Sequence, residues 1–157
     1  MITIRAILAA VLLATPAIAT AADRSSADLR TPEEYGIVLK RDARTKLFLV
    51  PVRMGDVNTT MIVDTGASIT MLTPNDAAAL GRDLTIMSDA YVAGITGAAR
   101  VPFSRTPPMS VAGIRIGRRE VVTVGGSIGL SLLGQSELKA LGRITIEGDV
   151  MTIQPRG

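Results

Sequence analysis

Along most of this chain, apolar and polar residues alternate in short runs broken by glycine, proline or charged clusters. That period of two is the signature of half-buried strands. Ile37-Val38-Leu39 reads as a first short strand, and the charged stretch 41–46 as a turn. Leu47 to Val52 is a strand in which Pro51, lacking an N–H, marks an edge or a bulge. Met54 to Asn58 turns the chain, and Thr59 to Val63 returns. Ile69 to Leu72 is another short strand. Ala90 to Ala93 and Ala98 to Val101 flank Gly94-Ile95-Thr96-Gly97 as a β-hairpin. Its apolar tip fits a segment that covers something and equally one held by a packing or core contact. Met109 to Val111, Ile114 to Ile116 and Val121 to Val124 follow, with Gly113 and Gly117 turning the chain, then a loop over Ser127–Ser131. Ile144 to Ile146 and Val150 to Ile153 form a terminal hairpin around Glu147-Gly148-Asp149.

Two segments break the alternation. Thr73-Pro74-Asn75-Asp76-Ala77-Ala78-Ala79-Leu80-Gly81 carries a helix N-cap, a proline at the first helical position, a capping-box-like Asp76 and a glycine stop. Gln135 to Leu141, closed by Gly142, reads as a second short helix. Many short strands with glycine turns and two short helices predict a mostly-β barrel or sandwich.

The amino terminus is different in kind. Arg5 is followed by an apolar centre from Ala6 to Ala14, a break at Pro16 and small-x-small sites at Ala17-Ile18-Ala19 and Ala19-Thr20-Ala21. This predicts a cleaved signal peptide over residues 1–22. The apolar run is well short of the ~20 residues that span a bilayer, so no stable membrane anchor is expected after cleavage. The protein is expected to be exported, to a bacterial periplasm. Residues 23–45 read as a leader, partly mobile, and 46–157 as one folded domain.

Composition narrows the chemistry. The chain has no cysteine and no histidine. That removes Ser-His-Asp and Cys-His catalysis, thiolate redox chemistry and the usual zinc sites. No metal and no cofactor are expected, and proton transfer falls to Asp, Glu, Lys or Tyr. Aromatics are 3% of residues, so the core must be aliphatic and methionine-rich. The net charge of +3 is spread thinly, with Arg118-Arg119 as one tight basic pair. No basic stripe with interleaved aromatics is present, so nucleic acid is not an expected partner.

The candidate chemistry lies in Met61-Ile62-Val63-Asp64-Thr65-Gly66-Ala67-Ser68. An apolar strand runs into a carboxylate, a hydroxyl and a glycine. A buried carboxylate is costly unless paired, and glycine permits a sharp turn or a close backbone approach. The plain alternative is a strand-to-turn connection in which Asp64 hydrogen-bonds the backbone two residues on.

The loop resembles the Asp-Thr-Gly active-site loop of aspartic proteases. From Lys46 to Gln154 the order of elements is similar to that of the retropepsin-like members, above all the exported single-domain bacterial ones. The matching features are Val63 to Ser68, the helix ending in Leu80-Gly81, the hairpin Tyr91 to Val101, and Leu132-Leu133-Gly134 before a helix and a terminal hairpin. The resemblance implies a closed acid-protease barrel with two short helices and a flap. It implies Asp64 as the catalytic carboxylate, with Thr65, Gly66 and Ala67 supporting the loop. Ser68, Gly94, Ile95, Thr96 and Gly97 would contact substrate, and Leu132, Leu133 and Gly134 would run beneath the loop. Ser68 departs from the aspartate that retroviral members often carry there. Only one Asp-Thr-Gly is present, so the family's two-carboxylate chemistry implies a homodimer acting on an extended peptide. A non-catalytic module that binds peptides or a partner on the same fold, and a plain structural β-domain, stay open.

Overall fold

The computed structural model describes residues 36–94, 97–125 and 129–155. The signal sequence over 1–22, the leader up to residue 35, Ile95 and Thr96 at the hairpin tip, and Ser127 in its loop lie outside them. The described residues form twelve strands and two α-helices. In chain order these are β1 (Ile37–Lys40), β2 (Leu49–Met54), β3 (Val57–Val63), β4 (Thr70–Leu72), α1 (Pro74–Leu80), β5 (Thr85–Gly94), β6 (Gly97–Arg105), β7 (Met109–Val111), β8 (Ile114–Gly117), β9 (Glu120–Thr123), β10 (Leu132–Leu133), α2 (Gln135–Leu141), β11 (Arg143–Glu147) and β12 (Val150–Gln154). The fold is mostly β, as the alternation predicts. No helix among the described residues is long and apolar enough to cross a membrane.

Nine strands form one sheet in the order β5-β6-β9-β4-β10-β3-β2-β7-β8, curled into a half-barrel. A second, smaller sheet has the order β1-β12-β11. Strand β1 lies ahead of Lys46, in the segment read as leader, and buries Ile37 and Leu39 against β12. Arg41 ties the two sheets together. It bridges to Phe48 beside β2, stacks its guanidinium 4.5 Å from that ring, and pairs with Asp149 at the β11–β12 turn.

Each strand shows why it sits where it does. In β2, Val50, Val52 and Met54 point inward and alternate with exposed Pro51 and Arg53. Pro51 is tolerated because the ladder to β7 begins one residue later, at Val52. β3 alternates over its first half, then buries Met61, Ile62 and Val63 in succession, as a strand covered on both faces does. The core is built from Val50, Val52, Met54, Met61, Leu72, Met109, Val111, Val121, Leu133, Leu141, Met151 and Ile153, with Phe48 its one aromatic among the described residues. Methionine supplies adaptable bulk where aromatics are scarce.

The hairpin is longer than its apolar pattern predicts. It begins at Thr85 rather than Ala90 and runs to Arg105, with a bulge between Ile86 and Ser88. Its first strand is exposed nearly throughout. A ribbon wet on both faces is held by backbone pairing, so no inward-facing alternation marks where it starts.

Candidate active site

Asp64 stands at the end of β3, where the chain leaves the covered part of the sheet. The strand end is tied on both sides. Val63 N–H donates to Phe48 O at 2.9 Å, Ile62 N–H to Ser131 O at 2.9 Å, and Asp64 N–H to Leu133 O at 3.0 Å. Beyond it the chain turns. Gly66 N–H donates to Asp64 Oδ1 at 2.8 Å, and Ala67 N–H to Asp64 O at 3.3 Å. The first of these is the bond of an ordinary Asx turn. Asp64 is half-buried, Ala67 is buried, and Thr65, Gly66 and Ser68 are exposed. The loop therefore presents its Thr-Gly rim outward from a fixed base, with the half-buried Asp64 carboxylate held against Gly66 N–H.

What an ordinary turn lacks is the support underneath. Strand β10 lies between the two strands that flank the loop, parallel to β3 and antiparallel to β4. Leu132 faces Ile62 and Met71, and Leu133 faces Val63. The chain then passes Gly134 into α2, and the first turn of that helix is stitched to the loop. Gln135 N–H donates to Ala67 O at 2.8 Å, Ser136 N–H to Ser68 O at 3.2 Å, and Gln135 Nε2 to Thr65 O at 2.6 Å. A Cβ on Gly134 would sit 2.5 Å from the carbonyl carbon of Ile69 and 2.9 Å from Thr70 N. Only glycine allows the two backbones to pass so closely.

Thr70, at the start of β4, joins this arrangement to a buried charge. Its hydroxyl accepts from Gly134 N–H at 2.9 Å and donates to the Glu137 carboxylate. Glu137 is wholly buried. It also accepts from Ser136 Oγ at 2.7 Å and from Arg119 Nε at 3.2 Å, while Arg119 Nη2 donates to Ser136 O at 2.9 Å. A carboxylate can stay buried when paired and fully hydrogen-bonded in this way.

A second buried tie holds α1. Thr73 caps the helix, its Oγ1 accepting from Asp76 N–H at 3.2 Å. The reciprocal arm of the capping box is replaced by a relay: Thr73 N–H donates to Ser131 Oγ at 3.0 Å, and that hydroxyl donates to the Asp76 carboxylate. Ser131 immediately precedes β10, so α1 and the strand under the loop share one hydrogen-bonded anchor.

Sequence reading places Asp64, Thr65, Gly66, Ala67, Ser68, Leu132, Leu133 and Gly134, and the structure brings all eight into one cluster. Gly94 and Gly97 pair at the end of the hairpin, away from that cluster in the sheet order; Ile95 and Thr96 lie outside the described residues. Thr70, Ser131, Gln135 and Glu137 also belong to the cluster without a site role in the sequence reading, as does Arg119, which the sequence shows only as half of a basic pair. A glutamate three residues after Gly134 was a faint signal, since that is the capping-box position without a hydroxyl residue to begin the box. Beside Ser68 lies an open cleft of about 570 Å³ whose lining includes Arg105, Arg118, Arg119 and Glu120. Arg105 pairs with Glu120 there. Among the described residues, no group of three potential metal-ligating side chains occurs.

Residues 50–140 match the family model described as "gag-polyprotein putative aspartyl protease". That span runs from β2 into α2 and includes the loop and its support. Among solved structures, the chain is similar to a retropepsin-like aspartic protease from Rickettsia conorii. The identity is 24%, the match covers 74% of this chain and 88% of that one, and the TM-score is 0.61. That likeness is one of fold. No curated protein matches.

Proposed function

We propose, from the premise that this chain belongs to the retropepsin-like aspartic proteases, that it is an endopeptidase completed by homodimerisation, with Asp64 of each copy forming the catalytic pair. The observation that carries this reading is the seating of Asp64. Its carboxylate is held by Gly66 N–H on an exposed rim, and the loop beneath is fixed by β10 and α2. A rigid base under a half-buried carboxylate at an exposed rim suits a group that must meet a symmetry mate at close range.

The chemistry needs two carboxylates. Held ~3 Å apart, they cannot both ionise and so share one proton. The ionised member takes a proton from water as the water oxygen attacks the scissile carbonyl carbon. The protonated member gives its proton to the carbonyl oxygen, forming a tetrahedral diol. On collapse one diol hydroxyl gives its proton to the ionised carboxylate as its C=O re-forms, the C–N bond breaks, the amine nitrogen takes the proton of the other carboxyl group, and the pair again holds a single shared proton. The pair, not either residue, carries the two apparent titrations. Thr65, exposed on the rim, would meet its counterpart across the two-fold axis. The β5–β6 hairpin would close over an extended peptide, and Ser68, beside the arginine-lined cleft, would contact one end of it. Export to a periplasm follows from the amino-terminal pattern and is part of the same proposal.

The test is hydrolysis of a mixed peptide library by the purified protein and by Asp64→Asn. The variant should lose activity by at least about 10²–10⁴-fold while its circular dichroism and thermal midpoint stay near wild type. Full activity in a folded Asp64→Asn protein would overturn the aspartic mechanism. A folded wild type that binds peptides without cleaving them would favour the binding-module reading.

A further inference from the structure

Gln135 makes two contacts with the loop from one position: its backbone N–H reaches Ala67 O and its side-chain amide reaches Thr65 O. A carbonyl oxygen can only accept, so the side-chain group facing Thr65 O must be the NH₂ and not the amide oxygen. The carbonyl of Thr65 and the N–H of Gly66 belong to one planar peptide unit and point in opposite directions. One side of that plane is held by Gln135 Nε2 at 2.6 Å, and the other donates to Asp64 Oδ1 at 2.8 Å. From this we infer that Gln135 is a positioning residue for Asp64, acting through the Thr65–Gly66 peptide plane. This role rests on the protease reading for its catalytic meaning, and on geometry alone for the positioning itself.

Two physical effects follow. The first is orientational. Gly66 has no side chain to restrain its plane, and a Cβ there would lie 3.2 Å from Asp64 Oδ1. Glycine lets the plane approach the carboxylate but leaves it rotationally loose; the Gln135 amide supplies the missing restraint from the far side. The second is electronic. An amide whose carbonyl already accepts a hydrogen bond is a better N–H donor. Gln135 therefore strengthens the bond from Gly66 to the carboxylate. Two backbone bonds, Gln135 N–H to Ala67 O and Ser136 N–H to Ser68 O, join α2 to the loop independently of the side chain. Losing the amide should leave the helix docked.

The experiment compares wild type with Gln135→Met, which keeps length and loses the donor, and Gln135→Glu. The Glu side chain can donate to Thr65 O only while protonated and opposes it once ionised. Two readouts are taken on each folded protein: the amide resonance of Gly66 across pH, and kcat and KM for peptide hydrolysis across pH. Gln135→Met should move the Gly66 amide proton upfield. It should lower kcat about three- to ten-fold, the worth of one ordinary hydrogen bond, with KM little changed. Gln135→Glu should approach wild type in both readouts below the ordinary glutamic acid range near ~4.3 and diverge above it. A merely structural role would lower stability without moving the Gly66 resonance or splitting kcat from KM. An unchanged Gly66 resonance in both variants would overturn the proposal. If the Gly66 signals shift as stated but wild type cleaves no peptide, the positioning stands and the protease reading fails.

Discussion

At the scale of single residues, several groups have no slack. Gly134 is the sharpest case, because any side chain there meets the backbone of Ile69 and Thr70. Gly134→Ala should cost about 1–3 kcal/mol through forced backbone movement. It should also displace the Asp64 loop, so that denaturant midpoint and peptide hydrolysis fall together. Arg119 is the partner of wholly buried Glu137, and its own side chain is 27% exposed. Arg119→Met leaves a buried carboxylate without its counter-charge; the expected loss is about 3 kcal/mol, the low end for a broken buried pair because water still reaches one side. Arg119→Met paired with Glu137→Gln should recover part of that loss in a double-mutant cycle. Far from the site, Asp42 is held below the ordinary carboxylate value of 3.8, chiefly by the Thr45 backbone N–H, then by the Thr45 hydroxyl, with Arg44 N–H also donating. Its folded state therefore binds a proton later than its unfolded state on acidification. The contribution is fully present above the ordinary value and is lost as pH falls through it and below. Asp42→Asn should flatten that part of the stability curve between about pH 5 and pH 2, which urea midpoints across that range would show.

At the scale of elements, the ties between segments matter more than the segments. Ser131 links the start of α1 to the strand beneath the loop through Thr73 and Asp76. Ser131→Ala strands a backbone donor and a carboxylate together, and should cost about 1–3 kcal/mol, with hydrogen exchange rising first at Thr73, Asp76 and Ala77. Elements whose information is local were legible in the sequence. The Thr73-Pro74 start of α1, the turns at Gly55 and Gly148, and the run from Val63 into Asp-Thr-Gly each carry their own chemistry. What was not legible depends on partners distant in the chain. Glu137 reads as a polar helix residue until Thr70, 67 positions earlier, comes to lie against it. Gln135 reads as a helix start until the Thr65 carbonyl is seen above it. The first half of β5 was missed for a different reason, since a strand exposed on both faces leaves no alternation to read.

At the scale of the whole molecule, one chain offers one Asp-Thr-Gly loop, and the proposed chemistry takes two. Activity should fall on dilution below the dimer dissociation constant, and light scattering at the same concentrations should show the dimer dissociating in step. The most direct test of two Asp64 carboxylates in one site is a mixing titration. Wild type and Asp64→Asn are unfolded together, refolded in varied ratio at constant total concentration well above dimer dissociation, and assayed for peptide hydrolysis. If each active site needs an Asp64 from both copies, activity follows the square of the wild-type fraction, so equal mixing leaves a quarter of it. Activity falling in simple proportion, with half left at equal mixing, would mean that each chain cleaves with its own Asp64 alone and would contradict the shared site.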